Sequence, residues 1–282
     1  MHIVVLTDHL IMKVSSCPPG TQGATLDIVC MYRNSLLALR HKAYVASMWR
    51  DNIYIDHCAM EGFSSLGNIQ GIPVDALVVI IKRHGVDNVL KWVGNFCFFC
   101  CPISSTPDGK GGFAHCYSID IPSILSITDP LGIPWHTKVI KGQDFTSAIT
   151  YVGFVWDLEK CMVSLLSKKG LKYLVKAQSF LSLAGSKVTH KDVMAIHGTL
   201  QHIYFVYRQG RPFLPPLSAF ISKFPNDYAC HHVPKSVIES LKWWEAILQN
   251  PSNSCSLLPC IVVDLDIWVD ASTNWGIGVV FG

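Results

Sequence analysis

Asp27 is set in a stretch that leaves it few chemical options. It stands inside Thr25-Leu26-Asp27-Ile28-Val29-Cys30, a run that reads as a buried strand. A carboxylate there is costly unless a cation or hydrogen-bond donor meets it. It is therefore either a metal-ligand candidate or a strand-end acid reaching solvent. A second stretch, Lys91-Trp92-Val93-Gly94-Asn95-Phe96, joins two apolar runs at 88–93 and 96–101. It reads as a hairpin of two buried strands with Gly94-Asn95 as its two-residue turn, since both residues tolerate positive φ. Neither turn residue carries a charge. Lys168, Lys169, Lys172 and Lys176 fall on or near a predicted helix, at a spacing that suits either a phosphate backbone or a solvated face.

Other polar clusters carry less. Cys97 and Cys100 form a C-x-x-C next to Cys101, with no second pair and no His at ligand spacing. They lie on a predicted strand and read as core thiols. His231-His232 reads as a solvated loop pair. Asp56 and Asp75 read as surface or structural acids.

The elements that must position these residues follow from apolar periodicity. Residues 24–30 predict a strand. Residues 44–49 and 53–56 predict a hairpin around Arg50-Asp51-Asn52. Residues 62–67 predict a small-residue loop. Residues 68–84 predict a helix with Ile69, Pro73, Ala76, Leu77 and Ile80 on its apolar face, ending at Gly85. After the 88–101 hairpin, residues 104–112 predict a loop and 113–127 a helix interrupted at Pro122. Residues 151–156 and 162–166 predict a further hairpin. Helices follow over 167–184, 189–207 and 235–249. The second has Thr189 and Asp192 in capping-box spacing, with a stripe of Val193, Ile196, Leu200, Ile203 and Tyr207. The third has Val237, Leu241, Trp244 and Leu248 on one face. Residues 251–259 read as a linker, and strand character returns from 261.

Composition bounds the rest. Of 282 residues, 50% are hydrophobic and 15% charged, enough for one large or two small cored domains. The net charge of +3 permits nucleic-acid binding without arguing for it. No run is long and apolar enough for a membrane-spanning helix, and the N-terminus lacks a signal peptide's basic region. The 11 scattered cysteines fit a reduced, intracellular chain, cytoplasmic or nuclear.

Taken together and in order, these segments resemble the reverse transcriptases of fungal retrotransposons, from about residue 17 to the end. In that family an Asp followed five residues on by an aromatic matches Asp27 and Tyr32. The resemblance implies a Mg²⁺ ligand and a steric gate that selects deoxynucleotides. The segment Glu61-Gly62-Phe63-Ser64-Ser65-Leu66-Gly67, with Gln70 after it, resembles the motif that shapes the template and nucleotide pocket. Lys91-Trp92-Val93-Gly94-Asn95-Phe96 matches a hairpin that reads Lys-Trp-Val-Asp-Asp-Phe in the family. Leu131-Gly132-Ile133-Pro134-Trp135 and Tyr151-Val152-Gly153-Phe154 resemble the later palm and primer-grip segments. The stretch from Trp268 to Gly278 resembles the first hairpin of a ribonuclease H fold, with Asp270 at its first metal ligand.

The resemblance implies an α+β chain: a palm with an antiparallel sheet over residues 1–166, a helical thumb and connection over 167–254, and a ribonuclease-H-like start over 255–282. It implies nucleotide contacts at Tyr32, Gly62, Phe63 and Gln70, and nucleic-acid contacts at Lys91, Trp92, Lys168 and Lys172. It also exposes departures. Gly94 offers no side chain and Asn95 only a neutral oxygen where the family binds Mg²⁺ through two aspartates, which leaves Asp27 as the surviving ligand. Residues 1–13 do not look like the family's fingers, and the remaining ribonuclease H acids are expected beyond Gly282. The expectation is an inactive reverse-transcriptase-like protein that binds no Mg²⁺ productively. The competing readings are a weak polymerase using a substitute acid, and a non-enzymatic nucleic-acid- or protein-binding remnant. The apolar C-terminal hairpin, with Ile267, Val269, Trp275 and Ile277, is expected to pack on the helices or to self-associate.

Overall fold

The computed structural model describes residues 3–59, 62, 66–109, 111–136, 141–250, 254–258, 266–272 and 276–281. Helix α1 (Ile3–Ser15) leads into β1 (Gln22–Ile28), and a 3-10 turn over Met31–Asn34 follows. The hairpin β2 (Ala46–Trp49) and β3 (Asn52–Ile55) precedes α2 (Leu66–Arg83). Next come β4 (Val89–Trp92), β5 (Asn95–Cys100), β6 (Ser104–Pro107), β7 (Phe113–Cys116), α3 (Ile121–Thr128), β8 (Trp135–His136) and β9 (Gln143–Thr146). A meander of β10 (Ala148–Tyr151), β11 (Phe154–Asp157) and β12 (Met162–Leu165) leads to α4 (Ser167–Leu181), β13 (Lys187–Thr189), α5 (His190–Ile203), α6 (Pro215–Ile221), β14 (Cys230–His232) and α7 (Lys235–Gln249). The described chain closes with β15 (Ser254–Ser256), β16 (Ile267–Ser272) and β17 (Gly276–Phe281). Helices combine with antiparallel sheets throughout, an α+β fold.

The central sheet runs β4-β5-β1-β8, with β9 also on β1. Both of its faces are covered, so its middle strands alternate between two cores rather than between core and solvent. Phe96 and Phe98 on β5, with Ala24, Leu26 and Ile28 on β1, pack against Val74, Leu77 and Ile81 of α2 and Ile124 of α3. Cys97 and Phe99 face the other way, into a larger core with Leu10 and Val14 of α1, the β10–β12 strands and helices α4 to α7. The chain changes from strands to helices between Leu165 and Ser167, but this larger core runs across that point. β15 returns to pair with β12.

Several expectations hold locally. Thr189 caps α5 reciprocally with Asp192, as the spacing predicts. The apolar stripes expected over 189–207 and 235–249 are buried in full. The Arg50-Asp51 turn between β2 and β3 has positive φ at both residues, with Asn52 already in β3.

Others are corrected. The tight turn between β4 and β5 is Val93-Gly94, not Gly94-Asn95: Trp92 pairs with Asn95, which begins β5. Val93 takes the left-handed φ of 54°, while Gly94 is not among the positive-φ residues. A β-branched residue is therefore strained at the tip while the glycine sits on a conventional φ. Residues 113–116 are strand rather than helix, because they pair with Ser104–Pro107 in a hairpin. The helix starts only at Ile121, with Asp120 accepting from Ser123 N and a proline in its first turn, where the missing N–H is harmless. The span 151–156 reverses at Val152-Gly153, so Tyr151 and Phe154 lie on different strands. Ser254–Ser256, predicted as linker, is an edge strand.

The apolar face of α2 is also rotated. Leu66, Gln70, Val74, Leu77 and Ile81 are buried, whereas Ile69 and Ile72 are exposed. That helix is apolar nearly all round, so period alone does not choose the face; the buried amide of Gln70 does. Trp268, Val269, Ile277 and Phe281 of the β16–β17 hairpin are all exposed, and Trp275 lies outside the described residues. No helix among the described residues is long and apolar enough to cross a membrane.

Candidate functional site

Asp27 is the penultimate residue of β1 and 8% exposed. β1 lies between β5 and β8, and their registers set Asp27 opposite Asn95 on one side and His136 on the other. Directly paired residues of antiparallel strands project to the same face, so Asn95, Asp27 and His136 form a row across the sheet. The tip of the β4–β5 hairpin is fixed against the end of β1, where Ile28 N donates to Gly94 O at 2.9 Å. Tyr151 Oη donates to Asn95 O at 3.0 Å, and burial pushes that phenol's pKa far up, so it remains a neutral donor. After β1 the chain reverses at Cys30, whose φ is 46°, and the 3-10 turn brings Met31 back over the hairpin. A Cβ on Gly94 would lie 2.9 Å from Met31 Sδ and 3.2 Å from Met31 Cβ. The place of a side chain at position 94 is thus filled.

The cation beside Asp27 is a lysine. Lys141 Nζ lies 3.1 Å from Asp27 Oδ2, with the lysine side chain 61% exposed and the aspartate 11%. Asp56 and Asp75, read from the sequence as surface or structural acids, are engaged elsewhere. Asp56 pairs with Arg33 and accepts from Cys58 N; the Cys58 amide first, and then Arg33, hold its carboxyl below the usual range. Asp75 pairs with Lys91 at 2.8 Å. Among the described residues, no group of three or more His, Cys, Asp or Glu side chains could hold a metal ion.

The family that the sequence resembles holds two Mg²⁺ ions at the positions that correspond to this row. A hard cation of that kind needs several oxygens, carboxylates above all. One carboxylate already paired with an ammonium, one neutral amide and a position covered by a thioether do not fit such a pair of ions.

The other sequence-predicted residues divide clearly. Tyr32 is half-buried in the 3-10 turn. Gln70 is buried, and its amide donates to Ser35 Oγ and to Tyr32 O, tying α2 to that turn. Gly62 has φ of 103° and is exposed, and Phe63 lies outside the described residues. Lys91 points to the α2 side of the sheet, opposite Asp27, through its pairing with Phe96 and its ion pair with Asp75. Trp92 is half-buried against the larger core. Asp270 is exposed on β16, where its Oδ1 accepts from Ala271 N. The ten described cysteines are all free thiols, Cys97 and Cys100 among them buried, as expected of core residues.

The α4 lysines are not equivalent. Lys168 and Lys172 are exposed. Lys169 covers the β10–β11 turn, where a Cβ on Gly153 would lie within contact of its Nζ, and burial lowers its pKa. Lys176 donates to Ala195 O and Thr199 Oγ1, both at 2.6 Å, and so braces α4 on α5. Sequence reasoning missed Lys141 and Met31. Met31 is a core methionine by type and Lys141 a surface lysine by type, and only the register of β8 and β9 on β1 brings Lys141 to Asp27.

No protein-family model matches the sequence, and no curated protein matches it. Solved structures do match by shape. A foamy viral protease-reverse transcriptase in complex with an RNA/DNA hybrid aligns with a TM-score of 0.53 at 14% identity, covering 84% of this chain and 28% of that one. A structure of that viral protein described as dRH, in complex with double-stranded DNA, aligns at 0.51 and 14% identity, covering 84% and 37%. A third, also with double-stranded DNA, aligns at 0.50 and 14% identity, covering 85% and 44%. The chain therefore spans less than half the length of these neighbours, and shares a reverse-transcriptase-like fold with them.

Proposed function

We propose that this chain is a reverse-transcriptase-like protein of fungal retrotransposon type in which nucleotide transfer has been lost. The observation that carries the reading is the tip of the β4–β5 hairpin. Gly94 lies under Met31 and Asn95 stands beside Asp27, where the resembled family keeps paired aspartates. Losing one preorganised charge at a reacting centre typically costs about 3 kcal/mol of barrier, and two such losses act on the same step. The motif order from Asp27 through Lys91–Phe96 to Tyr151–Phe154 supports the retrotransposon lineage. Residues 1–166 are then a palm, 167–254 a thumb and connection, and 255–282 the beginning of a ribonuclease-H-like unit around Asp270. Primer extension with Mg²⁺ or Mn²⁺ tests the reading, and robust extension would end it.

A second reading is a binding module that keeps the palm and thumb as a nucleic-acid surface. Two observations favour it: the exposed pair Lys168 and Lys172 on α4, and neighbours solved with an RNA/DNA hybrid and with double-stranded DNA. Self-association through β16–β17 is a further proposal, supported by the exposure of Trp268 and Phe281, at 70% and 73%. Sedimentation should then depend on concentration, and Trp268→Ser should remove that dependence. An identical profile for both proteins would count against it.

A further inference from the structure

We propose that the Lys141 ammonium is a built-in replacement for a divalent cation at Asp27, a deduction that rests on the reading of this palm as inactive. Asp27 is nearly buried at the end of β1, and one cation stands against its carboxylate. The partner is Lys141, at 3.1 Å. It reaches Asp27 from the solvent side, since its own side chain is mostly exposed. The strand that follows it, β9, pairs Gln143 with Thr25 of the strand that carries Asp27. The lysine lies two residues before β9, whose pairing with β1 sets where it enters.

A divalent ion approaching Asp27 meets this ammonium first and has to displace it. If the ammonium is removed, the Asp27 carboxylate is left for a divalent ion to meet, with Asn95 and His136 beside it in register. In the chain as it stands, Asp27 is expected to take no divalent ion.

Thermal unfolding with and without millimolar Mn²⁺ tests this. The wild-type Tm should not respond to the ion. Lys141→Gln should lower the Tm, Mn²⁺ should restore part of the loss, and Asp27→Asn on top of Lys141→Gln should abolish that restoration. Three results would overturn the inference: a wild-type Tm raised by Mn²⁺ in a manner lost in Asp27→Asn, a Lys141→Gln variant blind to Mn²⁺, or an equal effect of Lys141→Gln with and without Asp27. Should Lys141→Gln fail to fold, Mn²⁺ broadening of the Asp27 carboxyl ¹³C resonance in the wild-type chain decides: none is expected, and selective broadening contradicts the proposal. Primer extension by the wild-type chain would instead remove the reading beneath the inference. Loss of the Asp27–Lys141 coupling without extension would remove only the role of Lys141.

Discussion

Gly94 occupies a crowded place at the β4–β5 hairpin tip. Its φ is one that any residue adopts, so Gly94→Ala should stabilise slightly by restricting the unfolded chain. Met31 opposes this, because its Cβ and Sδ occupy the space a new Cβ needs. Overpacking of this kind typically costs about 1–3 kcal/mol. Gly94→Ala is therefore expected to destabilise in denaturant unfolding, and to do so less in a Met31→Ala background, which removes the sulfur at 2.9 Å but keeps the Cβ at 3.2 Å. Equal effects in both backgrounds would show that Met31 gives way freely. Restoring an aspartate at 94 faces the same obstruction, so a rescue needs Met31 shortened as well. At this scale the sequence was legible in part. Asp27 and the hairpin tip are visible as types in a pattern. Met31 and Lys141 are not, because nothing in an apolar run or a surface lysine states which residue it will meet.

Among the elements, α3 begins on an Asp120 cap and α5 on the Thr189–Asp192 capping box, and a short ion pair joins the 3-10 turn to the β2–β3 region. Asp192 is held below its ordinary pKa first by the Thr189 side chain and then by the Thr189 backbone, and Asp120 by the Ser123 side chain and backbone. Asp56 is held down by the Cys58 amide and Arg33. A depressed folded-state pKa contributes stability that is present above the unfolded value and lost as pH falls through the folded one. All three start from 3.8, so the chain should lose stability below about pH 4, and Asp192→Asn should flatten that loss. A melting temperature level from pH 5 to pH 2.5 would contradict the assignment. The capping box was readable because Thr and Asp three apart have a local geometric reason to meet. The strand at 113–116 was not, since its identity depends on pairing with 104–107, and the turn at Val152-Gly153 hid inside an apolar run that looks like one strand.

At the scale of the molecule, the central sheet is sandwiched between two cores, and this is why its strands read as near-continuous apolar runs. The α+β class and the order of motifs were legible for that reason. The packing of the helices against β10–β12 was not. If the α4 surface binds duplex, its two exposed lysines should behave differently from the half-buried pair, Lys169 and Lys176. Lys168→Ala and Lys172→Ala should each reduce the slope of log affinity against log salt by about 1, because each releases about one fewer counterion. Lys176→Ala should leave that slope alone and lower the Tm, since its ammonium is spent on Ala195 and Thr199. A uniform loss of affinity across all three, with no change in slope, would contradict a phosphate-tracking role for Lys168 and Lys172.

The central claim is that this palm keeps its fold without its reaction. It is tested most directly by primer extension on an RNA template with deoxynucleotides and Mg²⁺ or Mn²⁺, comparing the wild-type chain with Asp27→Asn. The account predicts that neither protein lengthens the primer. Extension by the wild-type chain that disappears in Asp27→Asn would contradict it.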